Sequence, residues 1–201
     1  MDIVLPLQRM ALNIFEPRYR LLIRRAMSGS RTFGMIGLNR RGQLYPVGCE
    51  VQIEDCNCLP DGRFEIEVIG VRRFSVEKCE EQDGYRLAHA EYIRDQESLP
   101  TQESVVELAS LVDEKIEAFL DGIKARQGGR GAILNALVRC AGNKPAKPSA
   151  EGKLRQWCED ISFYVGVILS QLQAVNPLAM LEMTSTKDRL ELLNKASVLN
   201  L

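Results

Sequence analysis

The sequence predicts an α+β chain in which a small, closed or partly closed β-barrel is followed by a helical bundle. Two observations predict it. From Thr32 to Asp95, short stretches of alternating apolar and polar residues are separated by turn signatures, the texture of a compact all-β module. Beyond Thr101 the apolar period lengthens to that of helices. Between the two textures, Gln96 to Thr101 is a polar linker containing Pro100, so the expected division is into residues 1–97 and 98–201.

The stretch from Leu12 to Arg20 organises the rest of the chain. Leu12-Asn13-Ile14 reads as a short apolar strand, and Phe15-Glu16-Pro17 as a sharp corner. Pro17 suits a first helical position, where its missing N–H would be orphaned anyway. Glu16 brings a negative charge to the helix's positive end. Tyr19, Leu22, Ile23 and Ala26 then recur at helical spacing, with Arg18, Arg20, Arg24 and Arg25 on the other faces, until Ser28-Gly29-Ser30 ends the helix. Phe15 is expected to be buried at this corner. Ahead of it, Ile3-Val4-Leu5 reads as what remains of another strand, which leaves the first sheet edge open to association.

Further along, Phe33 and Met35 alternate, and Asn39-Arg40-Arg41-Gly42 is a turn. Cys49, Val51 and Ile53 alternate with Glu50, Gln52 and Glu54 as a half-buried strand. Leu59-Pro60-Asp61-Gly62 is a turn in which proline fixes φ and glycine supplies φ > 0. Phe64, Ile66 and Val68 mark the next strand, Val71 to Val76 another after Gly70, and Gln82-Asp83-Gly84 a hairpin leading into Arg86–Tyr92. In the second half, Val105, Ala109, Val112, Ile116, Phe119 and Ile123 stripe one long helix capped by Thr101 or Ser104. Gln127 to Gly131 ends it, and a short helix follows from Ala132 to about Cys140. Leu154, Trp157, Ile161, Tyr164, Val165, Ile168 and Leu172 mark the next, broken at Asn176-Pro177. Ser185-x-x-Asp188 reads as a capping box ahead of Leu190, Leu193 and Val198.

The 201 residues are ample for a core, and 45% hydrophobic with 26% charged residues argues against a disordered chain. A net charge of -1 argues against life on a phosphate backbone. No apolar run spans a membrane, and the start lacks the pattern of a signal peptide, so a cytoplasmic or nuclear protein is expected. Cys49, Cys56, Cys58, Cys79, Cys140 and Cys158 are expected to be free thiols, because only Cys56-x-Cys58 is close and its spacing is too short for a zinc knuckle. No phosphate-binding loop and no G-x-S-x-G elbow is present. His89, the only histidine, sits in a strand, where a structural role is expected. Trp157 lies on an apolar helical stripe, where packing is expected. Gly128-Gly129-Arg130-Gly131 reads as a connector. The arginines at 18, 20, 24, 25 and 31 admit two readings: a phosphate-binding stripe, or the solvated face of an amphipathic helix, which the net charge favours. No catalytic residue, metal or cofactor is expected.

Ile14-Phe15-Glu16-Pro17-Arg18-Tyr19-Arg20, followed by Phe33-Gly34-Met35, resembles the opening of the Lon-type N-terminal domain. That domain stands at the front of ATP-dependent Lon proteases, in cereblon, and at the end of RING-finger ubiquitin ligases. Gly48-Cys49-Glu50-Val51, Asp61-Gly62-Arg63-Phe64, Gly70-Val71-Arg72-Arg73-Phe74 and Asp83-Gly84-Tyr85 fit the same pattern in order. Leu181-Glu182-Met183 and Asp188-Arg189-Leu190 match its closing helices. The similarity is nearest to the RING-ligase branch, although no RING cysteines occur in this chain. The resemblance implies a PUA-like barrel, with Phe15, Glu16, Pro17, Arg18, Tyr19, Gly48, Asp61, Gly62, Gly70, Arg73, Phe74, Gly84 and Tyr85 as structural signature residues. It also implies non-catalytic recognition of client proteins for ubiquitin-dependent or ATP-dependent proteolysis, beside a RING or AAA+ module in the same chain or complex. The competing expectations are a PUA-like module that binds RNA or a small molecule, and an enzyme with an unfamiliar site that combines buried acids with His89 or a cysteine.

Overall fold

The computed structural model describes residues 3–96, 102–126 and 131–200. The chain divides into two compact units, one ending at Ile93 and the other starting at Arg94.

The first unit is an antiparallel sheet with one helix. Strand β1 (Arg9–Ile14) leads through the corner into α1 (Pro17–Met27), followed by β2 (Thr32–Met35), β3 (Val47–Cys58), β4 (Phe64–Gln82) and β5 (Tyr85–Tyr92). Pro17 occupies the start of α1, with Glu16 as the extended residue before it. The sheet order is β1-β4-β3-β2. Strand β4 is 19 residues long and serves two partners on one edge: its first part pairs with β1 (Ile14↔Phe64) and its last part with β5 (Gln82↔Tyr85). The core is built from the alternating positions: Cys49, Val51 and Ile53 of β3 with Phe64, Ile66 and Val68 of β4, closed by Ile23 and Ala26 of α1. Their polar neighbours in sequence face outward, as the two-residue strand period requires.

Four expectations are corrected by the structure. The closed barrel is not formed. Among the described residues β2 pairs only with β3, and β5 only with β4, so the sheet keeps open edges. With β2 only four residues long, nothing bridges it to the far side. Phe15 is 64% exposed rather than buried. It continues the outward phase of Ala11 and Asn13, so the strand's own alternation turns it to solvent. Gly70 does not separate two strands. It lies inside β4, where Val51 faces Gly70 and Glu50 faces Arg72, leaving Val71 as the extra residue of a bulge. Finally, Ile3, Val4 and Leu5 form no strand. Val4 and Leu5 are buried as a strap, held by the Gly70 N–H on Gln8 O and the Leu7 N–H on Gly70 O, both 2.8 Å.

The second unit is helical: α2 (Gln102–Arg126), α3 (Ala132–Ala141), α4 (Leu154–Gln171), α5 (Pro177–Glu182) and α6 (Thr186–Asn194), with 3-10 turns at Glu151–Lys153 and Ser197–Leu199. Helix α4 is the axis. Every residue from Ile161 to Leu169 is buried, the mark of a helix surrounded on all sides, and α2, α3, α5 and α6 pack against it. Val105, Ala109, Val112 and Ile116 are the buried stripe of α2, with Phe119 and Ile123 half-buried. Trp157 is core, its Nε1 donating to Pro145 O. Asn176 opens α5 as its cap rather than only ending α4, with Oδ1 accepting the Leu178 N–H and Pro177 following. Ser185 caps α6 through the Asp188 N–H. Ser104 lies inside α2 and does not cap it. Thr101, most of the expected linker, and Gly128-Gly129-Arg130 lie outside the described residues.

Candidate functional site

Beyond Val76, β4 and β5 leave the rest of the sheet and run on as a two-stranded arm, paired from Phe74↔Tyr92 out to Gln82↔Tyr85. The turn at its tip places Asp83 and Gly84 at φ 53° and 79°, the left-handed conformation that a tight hairpin needs. Of β5, only Tyr85 is buried. That residue is fastened to α1: Arg25 Nη1 donates to Tyr85 Oη at 2.5 Å and to Asp83 Oδ2 at 2.7 Å, while Arg18 Nη1 reaches Gly84 O at 3.4 Å. These two acceptors hold the Arg25 guanidinium above its ordinary pKa.

An arm fixed at both ends leaves a space under its middle. Phe74, Val76 and Cys79 of β4, facing Tyr92, Ala90 and Ala88 of β5, form one wall of a cleft of about 350 Å³. Leu22 of α1, Phe33 and Gly34 of β2, Ile36 and Leu44 form the other. Two of its β5 residues are alanines and one of its β2 residues is glycine, so little side chain fills it there. It runs on toward the arm's tip as a second depression of about 270 Å³ that shares Leu22, Gly34, Ile36, Leu44 and Arg86. The walls are mainly apolar, and Leu87 and Tyr92 of β5 and Leu38 at the rim are large apolar residues open to solvent. Glu50 and Arg86 are the charged residues of its lining. Glu50 accepts from Arg72 Nε at 2.5 Å and from Tyr92 Oη at 3.3 Å. Arg86 stands opposite Glu81 in register. Among the described residues no group of three or more histidines, cysteines or acids could hold a metal ion. Cys49 is inert by burial, which pushes its thiol up to about 12.

Of the signature residues, Phe74 lines the cleft, and Arg18, Tyr19, Gly84 and Tyr85 line its continuation toward the arm's tip. Pro17 and Glu16 start α1, and Glu16 pairs with Arg18 at 2.7 Å. Arg18 lies over the Tyr19 ring at 4.6 Å. Asp61 orders its turn by accepting from Arg63, and the Arg20 guanidinium fills the space where a Cβ on Gly62 would sit. A Cβ on Gly48 would come within 2.5 Å of the Phe74 ring, and one on Gly70 within 2.1 Å of Leu5 O. Arg73 is buried in β4. Phe15 is exposed and lines neither depression. The arginine stripe is largely used internally: Arg18 on Glu16 and Gly84 O, Arg20 against Gly62, Arg25 on Asp83 and Tyr85, Arg24 over Phe64, and Arg31 on Glu54 O. His89 is exposed on β5. Sequence reasoning passed over the cleft-lining residues Leu22, Phe33, Ile36, Leu44, Ala88 and Ala90. The one signal was the unusual run of small residues at Ala88 and Ala90 in an otherwise strand-like stretch.

The described residues form an open antiparallel sheet carrying an apolar cleft, followed in sequence by an all-helical unit. The family model for the ATP-dependent protease La (LON) substrate-binding domain matches residues 1–198, and the chain belongs to that family. Among solved structures, a Lon N-terminal domain protein from Xanthomonas campestris is similar at 22% identity and a TM-score of 0.56, over 94% of this chain and 90% of that one. The N-terminal domain of the Mycobacterium avium complex Lon protease is similar at 16% identity and a TM-score of 0.58, over 96% and 90%. At these identities the likeness is one of fold. Among the described residues no helix is long and apolar enough to cross a membrane.

Proposed function

We propose that this chain is a non-catalytic recognition module that holds unfolded client protein for a proteolytic partner, the cleft beneath the β4–β5 arm being the holding site. The observation that carries the reading is that cleft: a mainly apolar groove bordered by exposed Leu38, Leu87 and Tyr92, in a chain of a substrate-binding family. Clients exposing apolar segments fit such a surface, and a polyanion does not. The partner would be an AAA+ protease or a RING ligase module, in the same chain or complex, working in the cytoplasm. The sheet would be a PUA-like barrel left open on one side. Client holding would belong to residues 1–97, and the helical part, 98–201, would serve as its support.

The RNA-binding alternative needs free arginines on α1, and Arg18, Arg24 and Arg25 are engaged with Glu16, Gly84, Phe64, Asp83 and Tyr85. The test is fluorescence anisotropy of a labelled, permanently unfolded protein and of a labelled RNA, each at low and high salt, with the parent chain and with Ala88→Trp. Client binding that persists at high salt and falls at least tenfold in Ala88→Trp is expected. Tight, salt-sensitive RNA binding with no client binding would overturn the reading.

A further inference from the structure

We propose that the client is held as an added β-strand along the free edge of β5, with its alternate side chains entering the cleft; this rests on the recognition reading above. Two of the sheet's open edges line the same cleft. Strand β5 has β4 as its only partner strand and β2 has β3, among the described residues, and both contribute to the cleft walls. An unpaired edge presents a row of N–H and C=O groups that a second extended chain satisfies. Of the two, β5 offers eight residues against four for β2, long enough for a register to form.

The side-chain pattern agrees. Arg86, Ala88, Ala90 and Tyr92 share one face of β5 and line the cleft. The two alanines leave room for the side chains of an incoming strand, and Leu22, Phe33 and Ile36 give those side chains an apolar counterface. Charge complementarity fixes the occupant's character. Glu50 is neutralised by Arg72, and Arg86 is left on the cleft wall without an ion pair among the described residues. The cleft therefore matches an apolar, extended segment with no basic residue facing Arg86. Main-chain pairing also suits recognition of many sequences, because the hydrogen bonds do not depend on side-chain identity while the cleft selects for apolar ones.

The experiment uses a fluorescent ten-residue peptide alternating valine and serine, and a set in which each backbone nitrogen in turn is methylated. A strand bonded along one edge donates only every second N–H to it. Affinity should fall about five- to tenfold at alternate positions, as for loss of one hydrogen bond, and stay near the parent value at the positions between. Amide exchange along β5 should slow when the parent peptide is bound. Ala88→Trp and Ala90→Trp, each checked for an unchanged melting temperature, should both abolish binding. A parent peptide that binds with no alternation in the methylation series overturns strand addition and leaves the recognition reading standing. So does binding of the unfolded protein without binding of the peptide. Failure of both probes overturns the recognition reading, and strand addition with it.

Discussion

Arg189 gives both ends of its guanidinium to the carboxylate of Asp95, which lies 94 positions earlier in the chain. Nη1 donates to Asp95 Oδ1 at 3.1 Å and to Met183 O at 2.8 Å, Nη2 to Asp95 Oδ2 and to Thr186 Oγ1, and Nε to Ser162 Oγ at 3.0 Å. All five donors of the side chain are used. The Phe163 ring lies 4.4 Å from the guanidinium carbon, and neither charged side chain has appreciable contact with solvent. The pair closes the helical unit by tying its first residues to α6.

The first prediction concerns that closure. Asp95→Ala would leave a buried guanidinium without its counter-charge, so a loss of about 3–5 kcal/mol in urea denaturation is expected. Arg189→Met alone should cost a similar amount, and the double variant less than the two single losses added, because the second change removes the charge that the first left unpaired. Additive losses would mean that the two residues act independently.

The second prediction separates the two halves of the corner. Phe15→Ala should cost under about 0.5 kcal/mol, as at an exposed site away from special features. Ile23→Ala, at a buried position of α1, should cost about 2–5 kcal/mol. Denaturation of the two variants side by side checks the ranking, and a reversal would put the corner in the core.

A third prediction comes from the strap over β4. The Cβ of alanine at Gly70 would meet the Leu5 carbonyl at 2.1 Å, and that carbonyl is backbone that accepts the Gln8 N–H. Gly70→Ala should therefore lose about 1–3 kcal/mol, as overpacking does, and should speed amide exchange at Leu7 and Gly70. Gly122→Ala, where a Cβ meets nothing, is the control and should be neutral or slightly stabilising in its helix.

These contrasts show what the sequence made legible. The periods of two and 3.6 placed the strands and helices, and the turn chemistry at Asp61-Gly62 and Asp83-Gly84 placed the hairpins, because both signals are local. Phe15 was misjudged because a large aromatic residue suggests burial, whereas its face is set by the alternation of the strand before it. Gly70 suggested a break because the bulge depends on the strap from Leu5 to Gln8, a contact distant in sequence. The cleft was illegible for the same reason. Ala88 and Ala90 gain meaning only when Leu22, Phe33 and Ile36 are brought opposite them, and an open edge is a property of the whole sheet.

The fourth prediction is a pH dependence. Burial raises the Cys49 thiol from about 9 to about 12, so in the folded state it keeps its proton where the unfolded chain has lost its own. A raised folded pKa means stability that is complete below the unfolded value and lost as pH rises toward the folded one. From about pH 9 to about pH 12, this group should remove about 1.4 kcal/mol per pH unit. Compared over pH 8 to 11, Cys49→Ala should start less stable than the parent, with a gap that narrows above pH 9. A gap constant with pH would mean the thiol titrates alike in both states.

The last prediction concerns the latch on the arm. Arg25, Asp83 and Tyr85 meet at the tip, and the ion pair is about half exposed on both sides. Exposed pairs contribute little to global stability, so Arg25→Ala should cost under about 1 kcal/mol by denaturation. The local effect should be larger. With only Tyr85 of β5 buried, the arm has few other contacts to hold its tip, and regions with few buried contacts open independently of the whole fold. Amide exchange from Tyr85 to Tyr92 should accelerate in Arg25→Ala, while that of Val51, Ile66 and Val68 in the core stays unchanged. Client affinity should fall in the same variant, because a loosened arm must be re-ordered on binding and that ordering subtracts from the binding free energy. Arg25→Lys, which keeps the charge but not the two-acceptor geometry, should fall between the two. Equal exchange along β5 in all three proteins would show that the arm holds its position without the latch.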